Sequence, residues 1–151
     1  MIFRREENIF DLFPDVIVHP VNCTGLSHDL LSKQLKKTAP EYFREYARAC
    51  LRKKLTPGTA SLYEQNALFG TRFIITVTIK EHWQEKLRPD TTKKALAAMS
   101  ILCDSIQAAT LAIPILHGPP EGWLENELRK LFDSKIHCYL NEVYFFEAEA
   151  E

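Results

Sequence analysis

The chain has no Cys-x-x-Cys pair, no apolar run long enough to cross a bilayer, and almost no net charge. Its four cysteines, Cys23, Cys50, Cys103 and Cys138, stand far apart, which argues against a zinc ribbon or a disulfide frame and predicts reduced, partly buried thiols. A cytoplasmic location is therefore expected. No stretch approaches the roughly 18 apolar residues of a membrane span, so no membrane partner is expected either. The opening Met1-Ile2-Phe3-Arg4-Arg5-Glu6-Glu7 carries charge where a signal peptide needs an apolar run of roughly seven to fifteen residues, and export by that route is not expected. Nineteen basic side chains against twenty acidic ones leave a net charge of -1. The molecule as a whole is thus no trap for nucleic acid, and any phosphate site must be local.

What is present reads as one globular domain over residues 1–151, with 46% apolar, 26% charged and 11% aromatic residues. Small apolar clusters at Ile2–Phe3 and Ile9–Phe13 precede Val16-Ile17-Val18-His19-Pro20-Val21, a run with the character of a buried strand. The turn formers Asn22-Cys23-Thr24-Gly25 end it, and Leu30, Leu31, Gln34 and Leu35 then repeat at helical spacing as far as Pro40. Pro40 can open the next helix, whose apolar side is Tyr42, Phe43, Tyr46, Ala47, Cys50 and Leu51. A short strand is expected over Thr59 to Tyr63 and a buried one over Phe73 to Ile79, where β-branched residues dominate.

Helical spacing returns from Thr91 to about Ala109, through Ala95, Leu96, Met99, Leu102, Cys103 and Ile106. Leu111 to Leu116 predicts a third buried strand, and after His117-Gly118-Pro119-Pro120-Glu121-Gly122 a helix carries Trp123, Leu124, Leu128, Leu131 and Phe132. A last β segment is expected over Ile136 to Phe146, interrupted near Asn141, with the acidic tail Glu147 to Glu151 frayed. Strands alternating with helices give an α/β architecture. In such sheets ligands bind outside the carboxyl ends of the strands, which selects three segments: Asn22 to Asp29, Lys80 to Trp83, and His117 to Trp123.

Each candidate has an ordinary structural role as well. Asn22 can cap its own turn, Lys80 can be a solvated charge, and Trp83 can be rim packing beside His82. His19, His28 and His117 can converge at one mouth, but none of the pairs has ligand spacing, so no metal site is expected. Arg44, Arg48 and Arg52 recur every four residues, followed by Lys53 and Lys54. Such a stripe is either a solvated face or a contact for nucleic-acid backbone.

The stretch from Val16 to Gly25, with its strand ending on Asn22, resembles the macro-domain signature. Gln34, Lys36, Lys37 and Pro40, then Lys80-Glu81-His82-Trp83, then Ile113-Pro114 with Leu116, fall in the order and spacing of the antitoxin-type macro domains of DNA ADP-ribosylation systems. The resemblance spans almost the whole chain. It implies a three-layer α/β/α sandwich with a mixed central sheet, binding ADP-ribose or ADP-ribosylated DNA or protein without metal or organic cofactor. Asn22 would contact the distal ribose and Lys80 would serve as the catalytic amine in hydrolytic release of ADP-ribose. Cys23, Thr24, Gly25, His82, Trp83, His117, Gly118 and Gly122 would line the ligand.

Two departures stand against turnover. Where the family carries Gly-Lys-Gly between strand and helix, this chain has His28-Asp29-Leu30, losing both flexible glycines and exchanging a cation for an anion. The Gly-rich second loop is shortened and holds Pro119 and Pro120, which lack amide donors. The alternatives within the fold are therefore a reader of ADP-ribose without turnover, and a protein-interaction or decoy module with no nucleotide pocket.

Overall fold

Six strands form one mixed sheet in the computed structural model, which describes residues 1–25, 29–66, 70–133 and 138–148. In chain order the elements are β1 (Ile2–Arg5), α1 (Ile9–Leu12), β2 (Val16–Asn22), α2 (Leu30–Thr38), α3 (Pro40–Leu51), β3 (Thr59–Glu64), β4 (Phe73–Lys80), α4 (Pro89–Ser105), β5 (Thr110–Pro114), α5 (Trp123–Asp133) and β6 (Glu142–Phe146). The sheet order is β1-β6-β5-β2-β4-β3. Every neighbouring pair is parallel except β3 with β4.

Alternation along the central strands sorts side chains into two cores. Val16, Val18, Ile75 and Val77 face Leu96, Met99, Leu128 and Phe132 of α4 and α5. Ile17 and Ile74 face Leu31, Leu35 and Tyr42 of α2 and α3. Helices thus cover both faces, and the layers are α/β/α with a mixed sheet between them.

Four expected elements change. The helix predicted from Thr91 to Ala109 starts at Pro89 and stops at Ser105, and Gln107 takes φ 53 as the chain turns towards β5. The third strand ends at Pro114 rather than Leu116. The last strand is only Glu142–Phe146, with Ile136 and His137 outside the described residues. Glu147 and Ala148 are packed rather than frayed: Ala148 is buried, and its carbonyl accepts from Leu30 N at 2.6 Å. Glu149 to Glu151 lie outside the described residues.

The amino ends of the central strands are tied together by one side chain. The Asp15 carboxylate accepts from Ala109 N at 2.8 Å and Thr110 N at 3.2 Å, while its carbonyl accepts from Phe73 N at 3.1 Å. The carboxyl ends are not tied in this way. β2 and β5 pair only at Val16↔Leu111 and Ile17↔Ala112, so beyond that point the two strands part. This is also where the chain changes direction across the sheet, from β4 on one side of β2 to β5 on the other, the place where open α/β sheets hold ligands.

His19 lies in neither ordinary core nor cleft. It is wholly buried, with Nδ1 2.7 Å from the Tyr42 hydroxyl and Nε2 2.7 Å from Ser32 Oγ. Tyr42 continues to Thr76 Oγ1 at 2.7 Å, and Ser32 Oγ donates to Asp29 Oδ2 at 3.1 Å. Because Asp29 only accepts, the protons line up in one sense. Thr76 donates to Tyr42, Tyr42 to Nδ1, Nε2–H to Ser32, and Ser32 to the carboxylate. Of the arrangements the sequence allowed, His19 therefore does not share a mouth with His117. His28 lies outside the described residues, and His117 is half-exposed on a different loop.

Burial lowers the His19 pKa from 6.5 to about 4, the Asp29 charge opposing that fall. The neutral ring contributes its full stability above pH 6.5; as the pH falls towards 4, the unfolded chain takes up a proton that the fold refuses, and stability is lost. Denaturant unfolding between those pH values should show this slope in the wild type and a shallower one in His19→Gln. At neutral pH His19→Leu should cost about 2–4 kcal/mol, since it takes one buried hydrogen-bond partner from each of the Tyr42 and Ser32 hydroxyls and leaves a poorly filled space.

Candidate functional site

At the carboxyl edge of the sheet the ladder between β2 and β4 slips by one residue. Val21 faces Thr78, but Asn22 faces Lys80. In an unbroken register Ile79 would oppose Asn22. The irregularity instead brings an amide and an amine side by side at the rim, a common use of bulges beside sites. Both are the last residues of their strands, and both are shielded, Asn22 at 8% exposure and Lys80 half-buried.

The loop after Asn22 is built on a local turn. Asn22 Oδ1 accepts from Thr24 N at 2.9 Å and from Thr24 Oγ1 at 2.7 Å, so its carboxamide is oriented before any ligand arrives. From behind, the Tyr46 hydroxyl donates to the Asn22 carbonyl at 2.9 Å. Cys23 N donates to the Glu81 carbonyl at 3.1 Å, which joins the first candidate segment to the second. Burial, with Glu81 adding to it, raises the Cys23 pKa to about 11. Cys23 is thus a protonated thiol at neutral pH, donating to the Leu55 carbonyl at 3.4 Å, and not a nucleophile.

His82 and Trp83 follow Lys80 in an exposed turn, closed by Glu85 N donating to the His82 carbonyl at 3.2 Å. Trp83 is 48% exposed, so half of its surface is left for contact. The third segment comes alongside at Gly118, where an added Cβ would lie 4.0 Å from Leu87 Cβ. Gly118 and Gly122 take φ 113 and 82, conformations that glycine adopts without strain. His117 is held by Glu147 at 2.8 Å.

The amino terminus of α2 is occupied from within. The Asp29 carboxylate accepts from Ser32 N at 2.7 Å, and the Ala148 carbonyl accepts from Leu30 N at 2.6 Å. Two of the donors that make a helix start attractive to phosphate are thus already engaged. The cap by Asp29 and the strap by Ala148 were not foreseen from sequence. Asp29 directly before the helical run that opens at Leu30 was a readable cap signal, whereas the strap depends on chain closure.

A family model for the macro domain matches residues 18–118. The chain belongs to the macro-domain family. Among curated relatives, a DNA ADP-ribosyl glycohydrolase of Mycobacterium tuberculosis is 28% identical over 113 residues, covering 75% of this chain and 32% of that protein. One from Thermus aquaticus is 23% identical over 141 residues, covering 93% and 39%. This macro domain thus spans about a third of the length of the relatives it matches. The fold is also that of the macrodomain of Mycobacterium tuberculosis DarG, with a TM-score of 0.86, 23% identity and coverage of 96% and 97%. A Thermosipho africanus DarTG structure in complex with ADP-ribose aligns with a TM-score of 0.75 at 15% identity, covering 91% of this chain and 39% of that one.

In this macro domain the Asn22 loop turns at Gly25, at φ 77, where a Cβ would meet Cys50 at an ordinary 3.5 Å. Backbone strain rather than a clash would therefore oppose a side chain. Gly25→Ala should lower unfolding stability by roughly 1 kcal/mol, and Gly25→Asn by less, in urea titrations.

Proposed function

We propose that this macro domain binds ADP-ribose in the crevice where β2 and β5 part, and that Lys80 cleaves an ADP-ribosyl linkage there. The observation that carries the reading is the slipped register that sets Lys80 against Asn22 at the rim. The oriented Asn22 carboxamide would hold the distal ribose so that its anomeric carbon meets the amine. Nζ of Lys80 would then form a bond to that carbon through its lone pair while the bond to the macromolecule breaks, the electron pair leaving with the macromolecule, which takes up the proton that Nζ sheds. Hydrolysis of the sugar–lysine adduct would release ADP-ribose and restore the amine. Resemblance to glycohydrolases named for ADP-ribosylated DNA supports a DNA substrate. No helix among the described residues is long and apolar enough to cross a membrane, and with four unbridged thiols this supports action in the cytoplasm.

The occupied start of α2 favours a second reading, an ADP-ribose reader with slow or no turnover. An anion at Asp29 repels a diphosphate, and a weakly held ligand spends little time aligned with Lys80.

Calorimetry with ADP-ribose should show binding to the wild type and at least about tenfold weaker binding to Asn22→Ala, the loss of one oriented polar contact. Lys80→Ala should keep ADP-ribose affinity within a few-fold but lose about a hundredfold or more in release from ADP-ribosylated DNA. Equal release by both proteins would remove the Lys80 mechanism and leave the reader. Asp29→Asn keeps a good capping residue while deleting the charge. Its ADP-ribose affinity should rise several-fold, at a stability cost of about 1 kcal/mol or less.

A further inference from the structure

A cavity of about 320 Å³ opens between α3 and the β3 edge of the sheet, lined by Tyr42, Tyr46, Arg48, Arg52, Lys54 and Tyr63 among others. It lies behind the Asn22 loop. Tyr46, on its wall, donates to the Asn22 carbonyl, and Leu55, also on its wall, accepts from Cys23. Tyr46 and Leu55 thus separate the cavity from the first candidate segment.

Charge at its mouth is of one sign except for Glu45. Arg44, the first member of the arginine stripe, is turned to Glu41 at 3.7 Å and is not among the lining residues. Arg48 and Arg52 are exposed lining residues and make no ion pair among the described residues. Lys54 joins them because the chain folds back after α3. Lys53 takes φ 53, and Lys54 N returns to the Ala49 carbonyl at 3.0 Å. The carboxyl end of α3 also favours cations there through its dipole. Tyr63 supplies a half-exposed aromatic wall, held edge-on by Tyr42 at 5.4 Å.

Guanidinium groups and an aromatic ring lining one cavity are the two components of single-strand recognition: cations for the phosphates and a π-face for a base. An acidic peptide would use the cations but not the ring. Along β4 the cavity reaches Thr76, four residues before Lys80 and so about 13 Å from it, within reach of a strand whose modified nucleotide sits at the rim.

We propose that this cavity is a second site, which holds the backbone and a neighbouring base of single-stranded DNA whose ADP-ribose occupies the Asn22–Lys80 crevice. The identity of the bound strand as substrate rests on the function proposed above; the cavity's affinity for a single strand does not.

Fluorescence anisotropy with a short unmodified oligothymidylate tests it. Wild-type protein should bind with affinity that falls as salt rises. Arg48→Glu/Arg52→Glu should weaken binding by about tenfold or more and lower the salt slope by about 1.4, the value for two phosphate contacts on a single strand. Arg48→Ala/Arg52→Ala should lose less, and both variants should melt as the wild type does and bind ADP-ribose as it does. Unchanged oligonucleotide affinity in the charge-reversed variant, or displacement by polyglutamate as effective as by unlabelled oligonucleotide, would overturn the proposal. If ADP-ribose binds no form of the protein while charge reversal still abolishes oligonucleotide binding, the proposed function fails and the cavity stands. If ADP-ribose binds and the oligonucleotide does not, only the cavity fails.

Discussion

Between β2 and the pair α2–α3 an imidazole is shut away from water, and its two nitrogens can be satisfied only if both helices sit where they do. Ser32 on α2 takes one and Tyr42 on α3 takes the other, while Tyr42 also reaches Thr76, the residue opposite His19 in the ladder. A buried donor or acceptor left alone costs about 1–3 kcal/mol, so a shift of either helix along the sheet carries several such penalties at once. Apolar contacts among Leu31, Leu35, Ile17 and Ile74 supply burial but tolerate sliding. The hydrogen-bonded line supplies the register. Tyr46, one turn on from Tyr42, is thereby fixed against the Asn22 carbonyl, so the rim inherits its geometry from a buried hydrogen-bonded network.

At the centre of the sheet β2 and β5 are held together at one end and part at the other. Asp15 binds the amino ends of β2, β4 and β5 through its carboxylate and carbonyl, leaving the natural twist between neighbouring strands to accumulate towards the carboxyl ends. With β2 and β5 paired over two residues only, a gap can open there without loss of core. The two cores lie above and below the paired region, and loops reach over the unpaired one. A site in such a place costs the fold little.

This division explains what the residues reveal unaided. β2 is rich in Val and Ile, β4 runs through six β-branched residues from Ile74 to Ile79, and α3 has a proline at its start and a clear apolar side, so local pattern and tertiary role agree. Leu51 is an exception: assigned to that side, it is 85% exposed, because α3 is ending and its last turn passes beyond the sheet. The extent of β6 and the packing of Ala148 follow from how the chain closes on α2, which no local window contains. At the site, Asn22 and Lys80 were legible as strand ends. Their adjacency was not, since it depends on a one-residue slip that leaves no compositional trace. The burial of His19 was not legible for a related reason: its sequence neighbours Pro20 and Asn22 belong to the rim, but alternation along β2 sends its ring under α2.

Asp29 joins these two halves and sets them in tension. Its carboxylate caps α2 and ends the line of protons from Thr76, so it strengthens the network that fixes the helices. The same charge stands at a helix start, where the dipole and the amides would otherwise favour a diphosphate. A glycine there would free the amides but leave the Ser32 hydroxyl without its acceptor, and with it the end of the line that orients His19. A lysine would attract phosphate but place a cation beside a ring that must remain neutral. Where the resembling macro domains carry Gly-Lys-Gly, this chain carries a residue that favours its own fold over an anionic ligand. On the reading proposed above, affinity lost at that helix start would come from elsewhere on the surface, and Arg48 and Arg52, which make no ion pair among the described residues, would supply it along a bound strand.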